Sequence, residues 1–155
     1  EIYKSYDPLL EKTPAVMGFE LKNTINPGSI MSALPKDPLI GEVLREYESR
    51  EFLVDGKPDT TTIVTTATRM LKRHGFTGGN RLQQVGNFTL YPGEYFSPFE
   101  HETQMFRRTE NTYSVHHYTA TWSPWYRKLR FRCIGLAARV LGRERYLRLK
   151  HKLKP

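Results

Sequence analysis

The sequence predicts an α/β fold that ends in a basic helical tail. Short alternating apolar runs stand near residues 17–23, 29–34 and 85–90, two stripes at helical spacing separate the second run from the third, and residues 127–155 hold all of the excess positive charge. With 155 residues, 38% hydrophobic and 26% charged, the chain has the composition of one folded domain or part of one, far from that of a disordered segment.

Residues 1–7, Glu-Ile-Tyr-Lys-Ser-Tyr-Asp, read as strand and turn. They begin without methionine, so the chain is expected to be the later part of a longer protein. Residues 17–23, Met-Gly-Phe-Glu-Leu-Lys-Asn, alternate well enough for a strand; Asn26-Pro27-Gly28 is a turn, and Ser29–Leu34 is a second short strand beside the first. Asp37-Pro38 offers an N-cap followed by proline at the first helical position. Leu39, Ile40, Val43, Leu44 and Tyr47 then recur at helical spacing with Glu42, Arg45 and Glu46 left for solvent, so a helix is predicted from 38 to about 50.

After the loop Asp55-Gly56-Lys57-Pro58, Ile63, Val64, Ala67, Met70 and Leu71 mark a second helical stripe that Gly75 ends. The threonines before and within it are unusual for a surface helix, because each hydroxyl can bond locally or turn toward a ligand. Asp59 is either a plain N-cap with the threonines as filler, or part of a binding surface. Val85, Phe88 and Leu90 suggest a strand ending at Pro92, and Gly93-Glu94-Tyr95-Phe96-Ser97-Pro98 reads as a fixed, partly buried loop. Segment 100–111 is polar and expected to be exposed. Thr112–Thr119 has strand composition, and a period of two puts Tyr113, Val115 and His117 on one face and Ser114, His116 and Tyr118 on the other. Val115 marks the first face as the core side, which leaves His116 to meet a ligand.

The charge is unevenly distributed. Residues 1–126 carry 13 Lys and Arg against 15 Asp and Glu, whereas residues 127–155 carry 11 against the single Glu144. In this tail Arg127, Lys128, Arg130, Arg132 and Arg139 interleave with Leu129, Ile134, Leu136, Val140 and Leu141, which could line one side of a helix; Gly135 and Gly142 weaken or break it. A basic amphipathic helix suits an anionic membrane surface, a solvated helix packed on the body is the plain alternative, and nucleic acid ranks last because no recognised module accompanies the stripe. There is no run of about 18 apolar residues and no secretory leader pattern, and Cys133 stands alone, so a reducing cytoplasmic setting is expected, peripheral to the inner face of the cell membrane if the tail binds there. The sequence contains no phosphate-cradling glycine loop, nucleophile elbow or cysteine cluster with metal-ligand spacing.

In order, the motifs Tyr3-Lys4-Ser5-Tyr6-Asp7-Pro8-Leu9-Leu10, Gly18-Phe19-Glu20, the Asp37-Pro38-Leu39 helix, Tyr91-Pro92-Gly93-Glu94-Tyr95-Phe96-Ser97-Pro98 and residues 113–122 with His116-His117 and Trp122 resemble the second half of the capsular polysaccharide type of glycosyltransferase, related to the initiating mannosyltransferases. The resemblance covers about residues 1–126. It implies the C-terminal part of a GT-A type nucleotide-diphospho-sugar transferase fold, a nucleotide-sugar donor (UDP- or GDP-sugar), a divalent metal (Mn²⁺ or Mg²⁺) and retention of anomeric configuration. The acceptor would be a saccharide, polysaccharide or lipid-linked glycolipid precursor. In such families an Asp-x-Asp pair holds the metal; no such pair is present, and by position it would fall just before Glu1.

The resemblance further implies His116 as a metal ligand with His117 as second choice, Trp122 closing over the donor or packing beneath the histidines, and Asp59, Thr65 and Thr66 near the transferred sugar. There Ala67 and Thr68 replace the glycine and proline of the family pattern. Residues 1–126 would form the catalytic part and residues 127–155 the tail. A rival reading is a non-catalytic module whose basic tail binds nucleic acid or an acidic partner, and a missing half-domain would favour self-association.

Overall fold

The computed structural model describes residues 1–117 and 123–153. In chain order they form α1 (Asp7–Leu10), β1 (Val16–Leu21), β2 (Thr24–Ile25), β3 (Met31–Ser32), α2 (Pro38–Glu48), β4 (Leu53–Val54), β5 (Lys57–Pro58), α3 (Ile63–Arg73), β6 (Gln83–Val85), β7 (Phe88–Tyr91), α4 (Gly93–Phe96), β8 (Phe99–Glu100), β9 (Met105–Phe106), α5 (Trp125–Leu141) and α6 (Arg143–Lys152). A mixed sheet lies at the centre. β1 pairs parallel with β7 and antiparallel with both β2 and β3, and β6 closes the other edge antiparallel to β7.

Both faces of this sheet are covered, which is why Val16 to Phe19 are all buried rather than alternately exposed. Met17 and Phe19 point into the larger core with Ile25, Leu39, Val43, Met70, Leu71, Phe76, Phe88 and Leu90, beneath α2 and α3. Val16 points the opposite way, into a second core of Leu9, Tyr91 and Phe96 edged by Tyr6, Tyr95 and Tyr113. Gly18 shares that second side: a Cβ there would lie 3.0 Å from the Phe96 ring and 3.1 Å from Ser29 Oγ, so glycine is what lets α4 pack down on β1.

Several elements differ from the sequence expectation. The strand expected through 85–90 is a hairpin, because Gly86 takes a positive φ of 59° and turns β6 onto β7. The predicted 17–23 and 29–34 pair becomes three strands, with Asn26 Oδ1 accepting from the Gly28 amide at 2.8 Å to hold the intervening turn. In α2, Leu44 and Tyr47 are exposed, while Glu42 and Glu46 face α3, where Arg69, Arg73 and His74 meet them. α3 is capped by Thr62, not Asp59. Segment 100–111 is not merely an exposed loop: it contains the β8–β9 hairpin, whose Thr103 is fully buried.

Candidate functional site

Four segments distant in sequence meet at the second core. Tyr6 lies 6.0 Å edge-on from Phe96 and stacks on Tyr113 at 6.4 Å, Tyr95 stacks on Tyr113 at 6.0 Å, and Gly18 abuts Phe96. These are the segments that carry the motifs 3–10, 18–20, 91–98 and 113–117. Aromatic packing of this kind adds roughly 0.5–1.5 kcal/mol per pair beyond area burial, and it fixes the backbone beside it.

That backbone holds the histidines. Residues 113–116 are not in a regular strand; they are suspended between two neighbours. On one side the Tyr113 and Ser114 amides donate to Tyr95 O and the His116 amide donates to Phe96 O at 3.2 Å. On the other, Ile2 bridges Ser114 antiparallel, the Tyr3 amide donates to Tyr113 O, and Glu1 and Val115 exchange both backbone bonds. The expected alternation therefore fails. Ser114 and Val115 are both buried, His116 is half-buried and His117 is exposed. Contrary to the face assigned from a period of two, His117 is the outward one, with Nε2 3.4 Å from the Glu1 carboxylate and its ring 5.2 Å from that of Phe106. Burial first, and then the neighbouring His117 charge, push the His116 pKa below its ordinary value, which keeps a neutral imidazole.

Beside this segment a cleft of about 350 Å³ is lined by Glu20, Asn80, Glu94, Glu100, Arg107 and Arg108, among others. Its floor is α4, whose first amide, Gly93, donates to Asn80 Oδ1 at 2.8 Å. Glu94 accepts from Thr109 Oγ1 at 3.0 Å and Asn111 Nδ2 at 3.2 Å, and Arg108 lies over the Tyr3 ring at 4.7 Å. The cleft is lined by neither the chain start nor the histidine segment; Arg108, over Tyr3, and Glu94, whose carbonyl accepts from Thr112 Oγ1, are its links to them. Three carboxylates and two guanidiniums give it donors and acceptors for a hydroxyl-rich ligand. The sequence reading did not single out these residues, although Glu20 and Glu94 lie inside its motifs; Arg107 and Arg108 sit in the stretch read as exposed loop.

The other sugar-contact candidates are scattered. Asp59 is tied to Arg50 (2.6 Å) and to the Thr61 amide (2.9 Å), in a separate hollow with Tyr47 and Phe52. The Thr61 bonds first, and then Arg50, hold its carboxyl down at about 2. Thr66 is fully buried on the inner side of α3, while Thr65 is exposed on a different hollow with Thr24, Arg69 and Lys72. Period 3.6 explains the split, since adjacent helical residues point about 100° apart. Trp122 lies outside the described residues. Among those described, no group of three or more His, Cys, Asp or Glu could hold a metal ion.

The tail forms two helices. α5 runs unbroken through Gly135, against expectation, and ends only at Gly142, where φ is 75°. Gly135 and Ala138 are its buried residues, and Gly135 lies against the Thr103–Gln104 turn of the β8–β9 hairpin. Arg143 grips Glu100 from the start of α6 through Nε at 3.0 Å and Nη2 at 2.5 Å. Arg127, Arg130, Arg132 and Arg139 are exposed and Lys128 is half-buried. No helix among the described residues is long and apolar enough to cross a membrane. Compared with known proteins, the chain matches no family model, and no curated protein or solved structure is significantly similar to it.

Proposed function

We propose that this chain is the C-terminal part of a GT-A type, retaining glycosyltransferase that moves a hexose from a UDP- or GDP-sugar onto a polysaccharide or glycolipid precursor. The observation that supports this most is the antiparallel register of residues 1–3 with 113–115. In that register a segment preceding Glu1 would run beside His116 and His117, and the resemblance puts the Asp-x-Asp pair just before Glu1.

The described residues alone do not make a metal site, and the proposal assigns the metal-holding carboxylates to the Asp-x-Asp pair that the resemblance implies. His117, with His116 second, is the imidazole this chain would add to them. A bound Mn²⁺ or Mg²⁺ would stabilise the diphosphate leaving group as a Lewis acid. This chain's own part is to hold His116 in place through the bond from its amide to Phe96 O, and to offer the Glu20–Glu94–Arg108 cleft to a hydroxyl-rich substrate.

Isothermal titration of UDP and GDP, with and without Mn²⁺, tests the reading on this chain and on one extended upstream by about a hundred residues, the scale of a half-domain. Metal-dependent binding by the extended protein, weakened by His117→Ala, is expected. Absence of nucleotide binding in both proteins overturns the proposal.

A further inference from the structure

The outward side of α5 carries an apolar stripe that nothing among the described residues covers. Trp125, Leu129, Leu136 and Val140 follow one another at spacings of four, seven and four residues, and their exposures are 76%, 52%, 64% and 75%. At 3.6 residues per turn these four share one side of the helix, and the exposed Cys133 fills the gap between Leu129 and Leu136. The buried Ala138 lies on the opposing side, and the buried Gly135, about 100° round from Leu136, lies against the β8–β9 hairpin. The orientation is therefore set by packing. A helix that kept its cations outward and its large apolar residues on the body would show the reverse pattern, with Leu129 and Val140 buried. The sequence expectation of one stripe containing Ile134 and Leu141 also changes, because Ile134 is half-buried and Leu141 is only 38% exposed, on a different side.

Cations border the stripe along its length. Arg132 and Arg139, seven residues apart, fall on one edge, and Arg130 falls on the other; all three are exposed. Beyond Gly142, Arg145, Arg148 and Lys152 surround Leu149 on α6, and Glu144 is the single acidic residue of the tail. Long cationic side chains can reach past an apolar stripe to a plane of negative charge while the stripe itself leaves water.

We infer that α5 is an interfacial helix that docks on an anionic lipid surface, with Trp125, Leu129, Leu136 and Val140 entering the head-group boundary and Arg130, Arg132 and Arg139 meeting lipid phosphates. A second copy of the chain fits the apolar residues but not their borders. Two such helices face to face would bring like-charged arginine rows together with no acidic residue on α5 to answer them. The inference does not depend on the transferase reading, since it needs neither nucleotide nor metal.

Co-sedimentation with phosphatidylserine–phosphatidylcholine vesicles, against phosphatidylcholine alone, tests it. Binding to the anionic vesicles that weakens with salt is expected, together with a loss of roughly tenfold or more in Leu129→Glu/Val140→Glu. The control Leu53→Glu, at an exposed position on the β4–β5 hairpin, should bind as the parent does. All substituted side chains are exposed, so far-UV circular dichroism and melting should be unchanged. An environment-sensitive fluorophore on Cys133 should shift to the blue on vesicle binding, whereas the same probe at Lys57→Cys in a Cys133→Ser background should not.

Failure to bind anionic vesicles at low salt overturns the inference. So does binding that survives Leu129→Glu/Val140→Glu while the Cys133 probe stays in water, which would place the contact elsewhere. A dimer seen by light scattering without lipid, dispersed by the double variant, would assign the stripe to a second copy and would equally overturn it.

Discussion

Asp37 shows how one side chain can fix both a helix and its place in the fold. One carboxylate oxygen accepts from the Leu39 and Ile40 amides at 2.9 and 3.1 Å, the other accepts from Asn87 on the β6–β7 turn, and the residue is only 6% exposed. Replacing it with alanine removes the cap of α2 and leaves buried amides without a partner. A loss of about 2 kcal/mol is expected, at the upper end of the range for N-caps, read by urea denaturation. Asp59 was a competing candidate for such a role from sequence, because aspartate before a helical stripe is the same signal in both places. The difference lies in context: Thr62 is nearer the first turn of α3, and Arg50 claims Asp59 instead.

At the scale of elements, α5 depends on small residues rather than large ones. Gly135 sits in the middle of a 17-residue helix, where glycine is worth about 1 kcal/mol less than alanine. A Cβ there would meet Gln104 O at 3.7 Å and Thr103 O at 3.9 Å, ordinary contact distances, so the space tolerates a methyl group. Gly135→Ala should therefore stabilise the chain slightly, by up to about 1 kcal/mol. Gly135→Leu should instead force the helix off the hairpin and lower the melting temperature, because the neighbouring atoms are backbone and do not repack. Sequence propensity alone reads Gly135 as a weak point; only the close approach of another backbone shows why the helix continues through it. The same holds for β1, where Gly18 looks like a defect in a strand and is the contact that admits Phe96.

For the molecule as a whole, acid should destabilise the fold in two steps. His116 and His101 are both held below the ordinary pKa, chiefly by burial, so the unfolded chain takes up protons that the folded chain refuses, and stability falls as pH drops below about 6.5. Asp59 has the other origin and the same direction. Its folded pKa of about 2 lies under the unfolded value near 4, so its contribution is complete above pH 4 and is lost as pH falls toward 2. Glu100, drawn down chiefly by Arg143, adds to the lower step and loosens the tail from the β8–β9 hairpin. Thermal melts between pH 7 and pH 2 should show both steps, with His116→Asn and His101→Asn each reducing the upper one and Asp59→Asn reducing the lower.

Local signals in the sequence determined much of this protein: the Asp37-Pro38 start of α2, the stripe of α3 with its stop before Gly75, the strand near residue 17, the basic helical tail and the class of mixed α/β chain. Each of these rests on capping groups, turn residues or periodicity within one segment, and such forces act over a few residues. The tertiary structure decided what depends on partners far away in the chain. It turned one expected strand into the β6–β7 hairpin, set Glu42 and Glu46 against α3, buried Thr66, and hung residues 113–116 between Glu1–Tyr3 and Tyr95–Phe96 so that His117 faces outward. It also chose which side of α5 meets the body. Amphipathic pattern names the sides of a helix, but which of them is covered is settled by the shape of the surface it lands on, and here the Thr103–Gln104 turn lies within 3.7–3.9 Å of where a Cβ on Gly135 would stand.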